Sequence, residues 1–103
     1  MTPTQRTLAH LRNNGWTAEV VEKRVPHTNT TRDLYGFVDV LAIRGDTTLA
    51  VQVTSGSNVA ARIHKIADHP NLPAVRAAGW AIAVHGWRKN AAGRWVLREI
   101  DVS

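Results

Sequence analysis

The sequence has no cysteine, no long apolar run and few acidic residues. Without cysteine the chain has no disulfide scaffold, no thiolate nucleophile and no zinc or iron–sulfur site built on thiolates. Its longest apolar stretches span only four or five residues, as at 80–84, and no apolar signal region follows the charged start of the chain. We therefore expect a cytoplasmic protein with no membrane partner, stabilised by packing alone.

The composition is that of an ordinary folded domain with a basic surface. The 103 residues are 44% hydrophobic and 20% charged, which predicts one domain over residues 1–103. Lys and Arg number 13 against 8 Asp and Glu, a formal net charge of +5. A domain this basic favours partners that carry phosphate groups.

Periodicity and turn residues predict the element order α-β-β-β-α-(α)-β-β. A Thr-Pro start and an Asn-Gly end delimit the first helix, Gly-Asp forms a two-residue hairpin turn, and Pro70 ends the second helix. The predicted helices span 2–15, 58–69 and 73–78, and the strands span 16–25, 37–44, 47–54, 80–87 and 94–102, with a polar loop at 26–36.

The predicted hairpin places a carboxylate opposite an amide. With Gly45 and Asp46 as the turn, Asp39 faces Gln52 across the two strands. Both share one face with Thr54, and the opposite face, expected to be the core, is wholly apolar: Val38, Val40, Ala42, Leu49, Val51 and Val53. A carboxylate flanked by valines needs a partner, and a hard divalent cation would supply one.

Two segments resemble the core of the PD-(D/E)XK nucleases, the restriction endonuclease-like superfamily, namely GFVDV at 36–40 and AVQVTS at 50–55. The likeness is to Holliday junction resolvase-like or phage-type members, in a prokaryotic or phage-infected cell, and it covers residues 4–66 and 80–84. It implies an α/β fold with an αβββαβ core, in which helices flank a mixed central sheet. In that family an Asp and a Glu or Gln bind Mg²⁺ (or Mn²⁺), and a Lys two positions later orients or activates the attacking water. The resemblance puts Asp39, Gln52 and Thr54 in these three places, with Asp39 and Gln52 as the metal ligands.

The chain departs from the family pattern at three points. Val38 replaces the Pro of the motif, Thr54 replaces its Lys, and the first helix has no acidic residue. A third acidic ligand would have to come from the loop residue Asp33 or from Glu19 or Glu22 on the first strand.

A polar stripe on the second helix offers substitutes for the missing cation. It consists of Asn58, Arg62, Lys65 and His69, which helical spacing places on one side. We take Lys65 as the first substitute and Arg62 as the second. Arg32 and Ser55 are further candidates for contact with DNA phosphates, and Thr54 and Ser55 either make such contacts through their hydroxyls or simply close the strand end.

Each candidate also has an ordinary structural role. Asp39 can be held by backbone donors or by Arg32, and Asp33 can turn its loop. Arg62 and Lys65 can form a solvated helix face. The five His lack metal-binding spacing, and the four Trp are expected in the core or a dimer surface rather than under DNA bases.

The sequence therefore supports two functions of different classes. The first is a metal-dependent DNA endonuclease, acting as a homodimer, with branched DNA such as a Holliday junction among its candidate substrates. The second is a catalytically inactive nuclease fold that serves as a nucleic-acid-binding or assembly module. RNA as the substrate stays open, because nothing in the sequence reads a 2′-hydroxyl.

Overall fold

The computed structural model describes residues 1–103, which form three helices and seven strands. In chain order these are α1 (Pro3–Asn13), β1 (Thr17–Val20), β2 (Lys23–Arg24), β3 (Thr31–Arg32), β4 (Val40–Arg44), β5 (Thr47–Ser55), α2 (Val59–Ala67), α3 (Leu72–Ala77), β6 (Ala81–Lys89) and β7 (Trp95–Asp101). A 3₁₀ turn, Gly56–Asn58, joins β5 to α2. The longest helix has 11 residues, and no helix has the length and apolar character that crossing a bilayer takes.

The first helix begins where its capping residues predict. Thr2 Oγ1 accepts a hydrogen bond from the Gln5 backbone N–H at 3.2 Å, and Gln5 Oε1 accepts one from the Thr2 N–H at 2.8 Å. This reciprocal capping box satisfies two backbone donors that the helix itself leaves free. The predicted helix is thereby confirmed, and its last residue, Asn13, lies just before the Asn-Gly pair.

A five-stranded mixed sheet in the order β1-β4-β5-β6-β7 forms the centre of the fold. β5 and β6 are parallel and the other neighbours are antiparallel, so α2 and α3 form the crossover between the parallel pair. The β4–β5 register runs from Arg44 opposite Thr47 to Val40 opposite Val51, as the two-residue turn predicted. The predicted α/β fold with a mixed sheet flanked by helices is confirmed.

The sheet is packed on both faces, so the expectation of a single apolar face was wrong. Leu11 of α1 packs with Val40, Val51 and other residues on one side. On the other side Ala50 packs with Val59 and further residues of α2 and α3. Phe37 and Val38 also join this second cluster, because β4 begins only at Val40 and the preceding residues form a turn that no longer alternates between faces.

Residues 16–36 differ most from the prediction. The single strand expected at 16–25 is two strands, and the expected loop contains β3, which pairs with β2. The β1–β4 ladder ends at Val20 opposite Val40, and the next donor, the Val21 N–H, bonds to the Asp39 carbonyl at 2.9 Å. Beyond this point the chain has no neighbour in the main sheet, so it forms a separate small hairpin.

Gly86 of β6 lies where the sheet and the start of α2 approach most closely. A Cβ on Gly86 would overlap Val59 Cγ2 and lie 3.2 Å from the Gly56 Cα. We expect Gly86→Ala to lower the free energy of unfolding by about 2 kcal/mol, because overpacking at a rigid contact forces the backbone to shift. Gly56→Ala is the matched control, since its Cβ would come no closer than 3.2 Å to the Arg88 side chain and would overlap no atom. Urea unfolding followed by circular dichroism measures both, and equal losses would contradict the steric argument.

Candidate active site

Three carboxylates meet beside the end of β5. Oxygens of Glu22, Asp33 and Asp39 all lie within 4.8 Å of one another. The small hairpin brings the first two together: Lys23 pairs with Arg32, so Glu22 and Asp33 are the next facing positions just outside the ladder. Asp39 arrives separately, as the residue before β4. The cluster therefore depends on the β2–β3 pairing.

Asp39 is held rigidly against β5. The residue is 5% exposed, and its Oδ2 accepts hydrogen bonds from Gln52 Nε2 and from the Val53 N–H, both at 2.7 Å. Its backbone N–H donates to the Val51 carbonyl at 2.9 Å. The predicted opposition of Asp39 and Gln52 is thus a direct side-chain contact.

Gln52 has an unused acceptor. Its amide nitrogen is committed to Asp39, whereas its Oε1 is buried and has no hydrogen-bond partner. A buried carbonyl oxygen without a donor is costly, and native structures seldom leave one unpaired without a reason. An amide oxygen beside three carboxylates is a donor set that suits a hard divalent cation.

The electrostatics of the cluster oppose full ionisation. Burial, the Asp33 side-chain contact and the charges of Asp33 and Glu22 together raise the pKa of Asp39 to about 7, against the lowering effect of the Val53 N–H. Burial and the Asp33 charge also raise the pKa of Glu22. At neutral pH the site therefore needs either protons or a cation.

The cleft around the acids also contains the two cations that the second helix was predicted to supply. Lys65 Nζ lies 3.6 Å from Asp33 Oδ2, and Arg62 stands one turn earlier on α2. The cleft is lined by Thr4, Glu22, Thr31, Asp33, Asp39, Gln52, Val53, Arg62 and Lys65. Acids and bases thus face one another across a small opening, which is an arrangement that can hold a phosphate next to a metal.

The remaining predicted site residues lie outside this cleft. Arg32 is exposed and lines a neighbouring shallow groove, shared with Asp33 and Lys65. Thr54, two residues beyond Gln52, is buried and does not line the cleft, and Ser55 is exposed, with its hydroxyl hydrogen-bonded to Ser57 and Asn58. Direct roles for Thr54 and Ser55 in the cleft have no support in this arrangement.

Three residues were candidates for a third acidic ligand. Glu22 and Asp33 lie in the carboxylate cluster with Asp39, and Glu19 does not. Glu19 is exposed and lies 3.7 Å from Arg12 instead. The sequence points to Glu22 only indirectly. Apolar and polar residues alternate poorly at 19–22, and a polar segment follows, which together suggest that the strand ends near Glu22. Neither pattern shows which residues would pair.

A second buried polar network lies on the α1 side of the sheet. His85 is fully buried between Glu99, at 2.6 Å from its Nε2, and the Thr7 hydroxyl, at 3.2 Å from its Nδ1. Trp87 Nε1 donates to the same hydroxyl at 2.9 Å. Burial lowers the pKa of His85, against the opposing charge of Glu99. Because Thr7 is itself inaccessible, this network anchors α1 to the sheet and offers no nucleophile.

The fold, a five-stranded mixed sheet flanked by helices, matches that of a solved nuclease. One solved structure that it resembles is Hjc, a Holliday junction resolvase from the archaeal hyperthermophile Archaeoglobus fulgidus. The TM-score is 0.52 at 18% sequence identity, over 95% of this chain and 87% of that chain. No protein-family model and no curated protein matches the sequence. At this identity the likeness shows the fold, and the chemistry has to be argued from the cleft.

Asp39 gives the metal-free protein a characteristic pH dependence. Its folded pKa of about 7 lies above the value of about 3.9 expected in the unfolded chain, so its contribution to stability is lost as pH rises through 7. We expect Asp39→Asn to be more stable than wild type at pH 8 in EDTA by at least about 1 kcal/mol, and no more stable at pH 4. The Asn oxygen can accept both hydrogen bonds that Oδ2 accepts now.

Urea unfolding at the two pH values measures this difference. Asp46→Asn in the exposed hairpin turn removes the same charge away from the cluster and is the control. If the two variants change in stability alike between pH 4 and pH 8, burial and the neighbouring acids do not raise the pKa of Asp39.

Proposed function

We propose that this protein is a metal-dependent endonuclease that hydrolyses phosphodiester bonds in DNA, with branched DNA as its substrate class. The observation that carries the proposal is the cleft itself, which three carboxylates and Gln52, with its unpaired Oε1, line together with Lys65 and Arg62. The resolvase-like fold supports the same conclusion. The net charge of +5 adds sequence-independent affinity for the DNA backbone.

The donor set fits Mg²⁺ or Mn²⁺. Asp39, Glu22 and Asp33 offer carboxylate oxygens, and Gln52 offers an amide oxygen, which are the ligands these hard cations prefer. These residues would hold the ion, and the chemistry it would supply there is to polarise the scissile phosphate and lower the pKa of a bound water. Glu22 thus joins Asp39 and Gln52 as a proposed ligand, and it supplies the negative charge that the neutral Gln52 lacks.

Two basic side chains of α2 are proposed to bind the phosphate. Lys65 and Arg62 project from one face of α2 into the cleft, where they can hold the phosphate and stabilise the charge that develops on its oxygens. Lys65 is held near the acids by Asp33, and we propose that it replaces the Lys whose motif position Thr54 occupies. Asp39 is fixed relative to Gln52 and β5 by its two hydrogen bonds, which set the positions of these two proposed ligands.

Two further features belong to the proposal. A chain of 103 residues with one such cleft needs a second copy to cut two strands, so we propose a homodimer. We also propose that it acts in the cytoplasm of a prokaryotic or phage-infected cell.

One observation favours the alternative of an inactive DNA-binding module. Thr54 stands at the motif Lys position and lies off the cleft, and the nearest Lys is already ion-paired with an acid of the cluster. Under this alternative the protein binds DNA in a salt-sensitive way and cuts nothing with any metal.

Metal binding is expected to stabilise the folded protein. At pH 8, Mg²⁺ or Mn²⁺ at ten times its dissociation constant should raise the melting temperature of wild type by about 5 °C or more, because the ion binds only the folded state. The rise should be smaller at pH 5.5, where protons compete for the carboxylates. Differential scanning fluorimetry measures it. An equal rise in Asp39→Asn would place the ion elsewhere, and Asp46→Asn should behave as wild type.

Cleavage tests the proposed activity directly. Wild type should cut supercoiled plasmid and a synthetic four-way junction with Mg²⁺ or Mn²⁺ and not in EDTA. Asp39→Asn and Lys65→Ala should each lose about 100-fold or more in cleavage rate while DNA binding persists, since both act on the reacting phosphate. Lys89→Ala removes an exposed lysine at the far end of β6, beside Trp95, and is the control.

The outcomes separate the two functions. Metal-dependent cleavage that Asp39→Asn abolishes supports the nuclease. Intact DNA under every condition, with binding that survives Asp39→Asn, rejects it in favour of the binding module. Loss of activity in Asp39→Asn but not in Lys65→Ala would keep the metal site and reject the role proposed for Lys65.

A further inference from the structure

An apolar groove lies close to the proposed active-site cleft, and nothing in the mechanism uses it. This aromatic groove encloses about 290 Å³ and is lined by Tyr35, Asn71, Ala74, Val75, Ala78 and Trp80. A shallow polar groove connects it to the cleft. The polar groove shares Asp33 and Lys65 with the cleft and shares Tyr35 and Asn71 with the aromatic groove. The three openings therefore lie side by side on the surface, and we call them together the track.

Tyr35 is held in an unusual backbone conformation at the junction of this track. Its φ is +54°, a left-handed value that costs a bulky residue free energy, and such strain is concentrated at functional sites. Two contacts hold the turn: Asn71 Nδ2 donates to the Tyr35 carbonyl at 3.1 Å, and the His69 ring covers Gly36 so closely that a Cβ there would overlap it. The turn is thus fixed by the segment between α2 and α3.

The Tyr35 ring is exposed to solvent, and its neighbour Trp80 covers only part of it. The residue is 50% exposed, and its ring lies 5.9 Å from that of Trp80 with a tilt of 54°. A tilted pair of this kind leaves open ring surface for a third planar group. Trp80 is only half-buried, so the two rings form an accessible aromatic wall.

The chemistry along the track selects the occupant. Arg32 and Lys65 line the polar groove and suit phosphates, whereas the aromatic groove suits a flat, largely apolar ring. A chain that alternates phosphates with planar rings is a nucleic-acid strand, and aromatic walls next to basic grooves bind unstacked bases. In an intact duplex the bases are stacked on one another and cannot enter such a groove.

We infer that the aromatic groove binds an unpaired base of the DNA strand whose backbone crosses the polar groove into the active-site cleft. This inference rests on the proposed function and makes its substrate more specific. The preferred DNA has unpaired nucleotides next to the cleaved bond, as at a flap, a gap or an open branch point. Fully paired DNA lacks this contact.

Binding measured in EDTA tests the inference without any cleavage. The probes are a duplex with a single-stranded extension that carries the fluorescent base 2-aminopurine and a fully paired duplex of the same length. Tyr35→Asn removes the ring while Asn tolerates the left-handed backbone, so the fold should persist. Tyr35→Phe keeps the ring, and Trp95→Leu removes a similarly exposed aromatic from the outer strand β7.

We expect Tyr35→Asn to weaken binding of the extended DNA by about 5-fold or more and to abolish the quenching of 2-aminopurine, because base stacking is lost. Binding of the paired duplex should change by less than about 2-fold, the scatter of conservative surface changes. Tyr35→Phe and Trp95→Leu should behave as wild type. This pattern would establish the base site.

Three results would overturn the inference. Equal losses for both DNAs would mean that Tyr35 supports the cleft rather than a base. Unchanged binding and quenching would mean that no base enters the groove. Dissociation of a wild-type dimer by Tyr35→Asn, seen by sedimentation with DNA binding unchanged, would assign the groove to a second copy of the chain. Because no arm depends on hydrolysis, these results are independent of whether the protein proves to be a nuclease.

Discussion

The two hydrogen bonds that β5 donates to the Asp39 carboxylate are the constraint on which the site depends. They come from the Gln52 side chain and the Val53 backbone, and they continue the β4–β5 pairing after the ladder itself has ended. The Asp39 backbone meanwhile bonds to Val51 of β5 and to Val21, the residue after β1, so three segments of the chain meet at one residue. The same carboxylate is buried against two other acids, which raises its pKa to about 7. A proton or a bound cation resolves this conflict between position and charge.

The cleft is formed by several elements, and different contacts outside the cleft hold each of them in place. Thr4 enters it from α1, and α1 is anchored one turn later, where buried Thr7 bonds to Trp87 and faces His85. Arg62 and Lys65 enter it from α2, which is packed directly over β6. Only the small β2–β3 hairpin, with its exposed residues, has no such support from a core. The acids that it brings to the site are therefore the part of the cleft that a ligand would order most.

Sequence reasoning succeeded where local rules decide the structure. A Thr cap followed by Pro predicted the start of α1, a two-residue turn predicted the β4–β5 register, and helical spacing placed Arg62 and Lys65 on one side of α2. It failed where the partner of a segment is chosen by distant residues. The expected strand 16–25 broke into two because its neighbour ends at Val40, and Val38 changed faces because the chain turns just before β4.

By itself, the sequence determined that Asp39 and Gln52 oppose each other, since the side-chain period of a hairpin and the length of its turn leave no freedom in that pairing. Only the tertiary structure decided which acids join them. Glu19 and Glu22 are the same residue type in nearby positions, so the sequence does not distinguish them. The β1–β4 ladder ends between them, and as a result Glu19 lies beside Arg12 whereas Glu22 lies beside Asp33. Likewise Thr54 was predicted to belong to the site, yet the residue is buried and does not line the cleft, whereas Lys65 does. Which side chains meet in the cleft depends on the pairing of strands that are distant in sequence, and local sequence patterns do not determine that pairing.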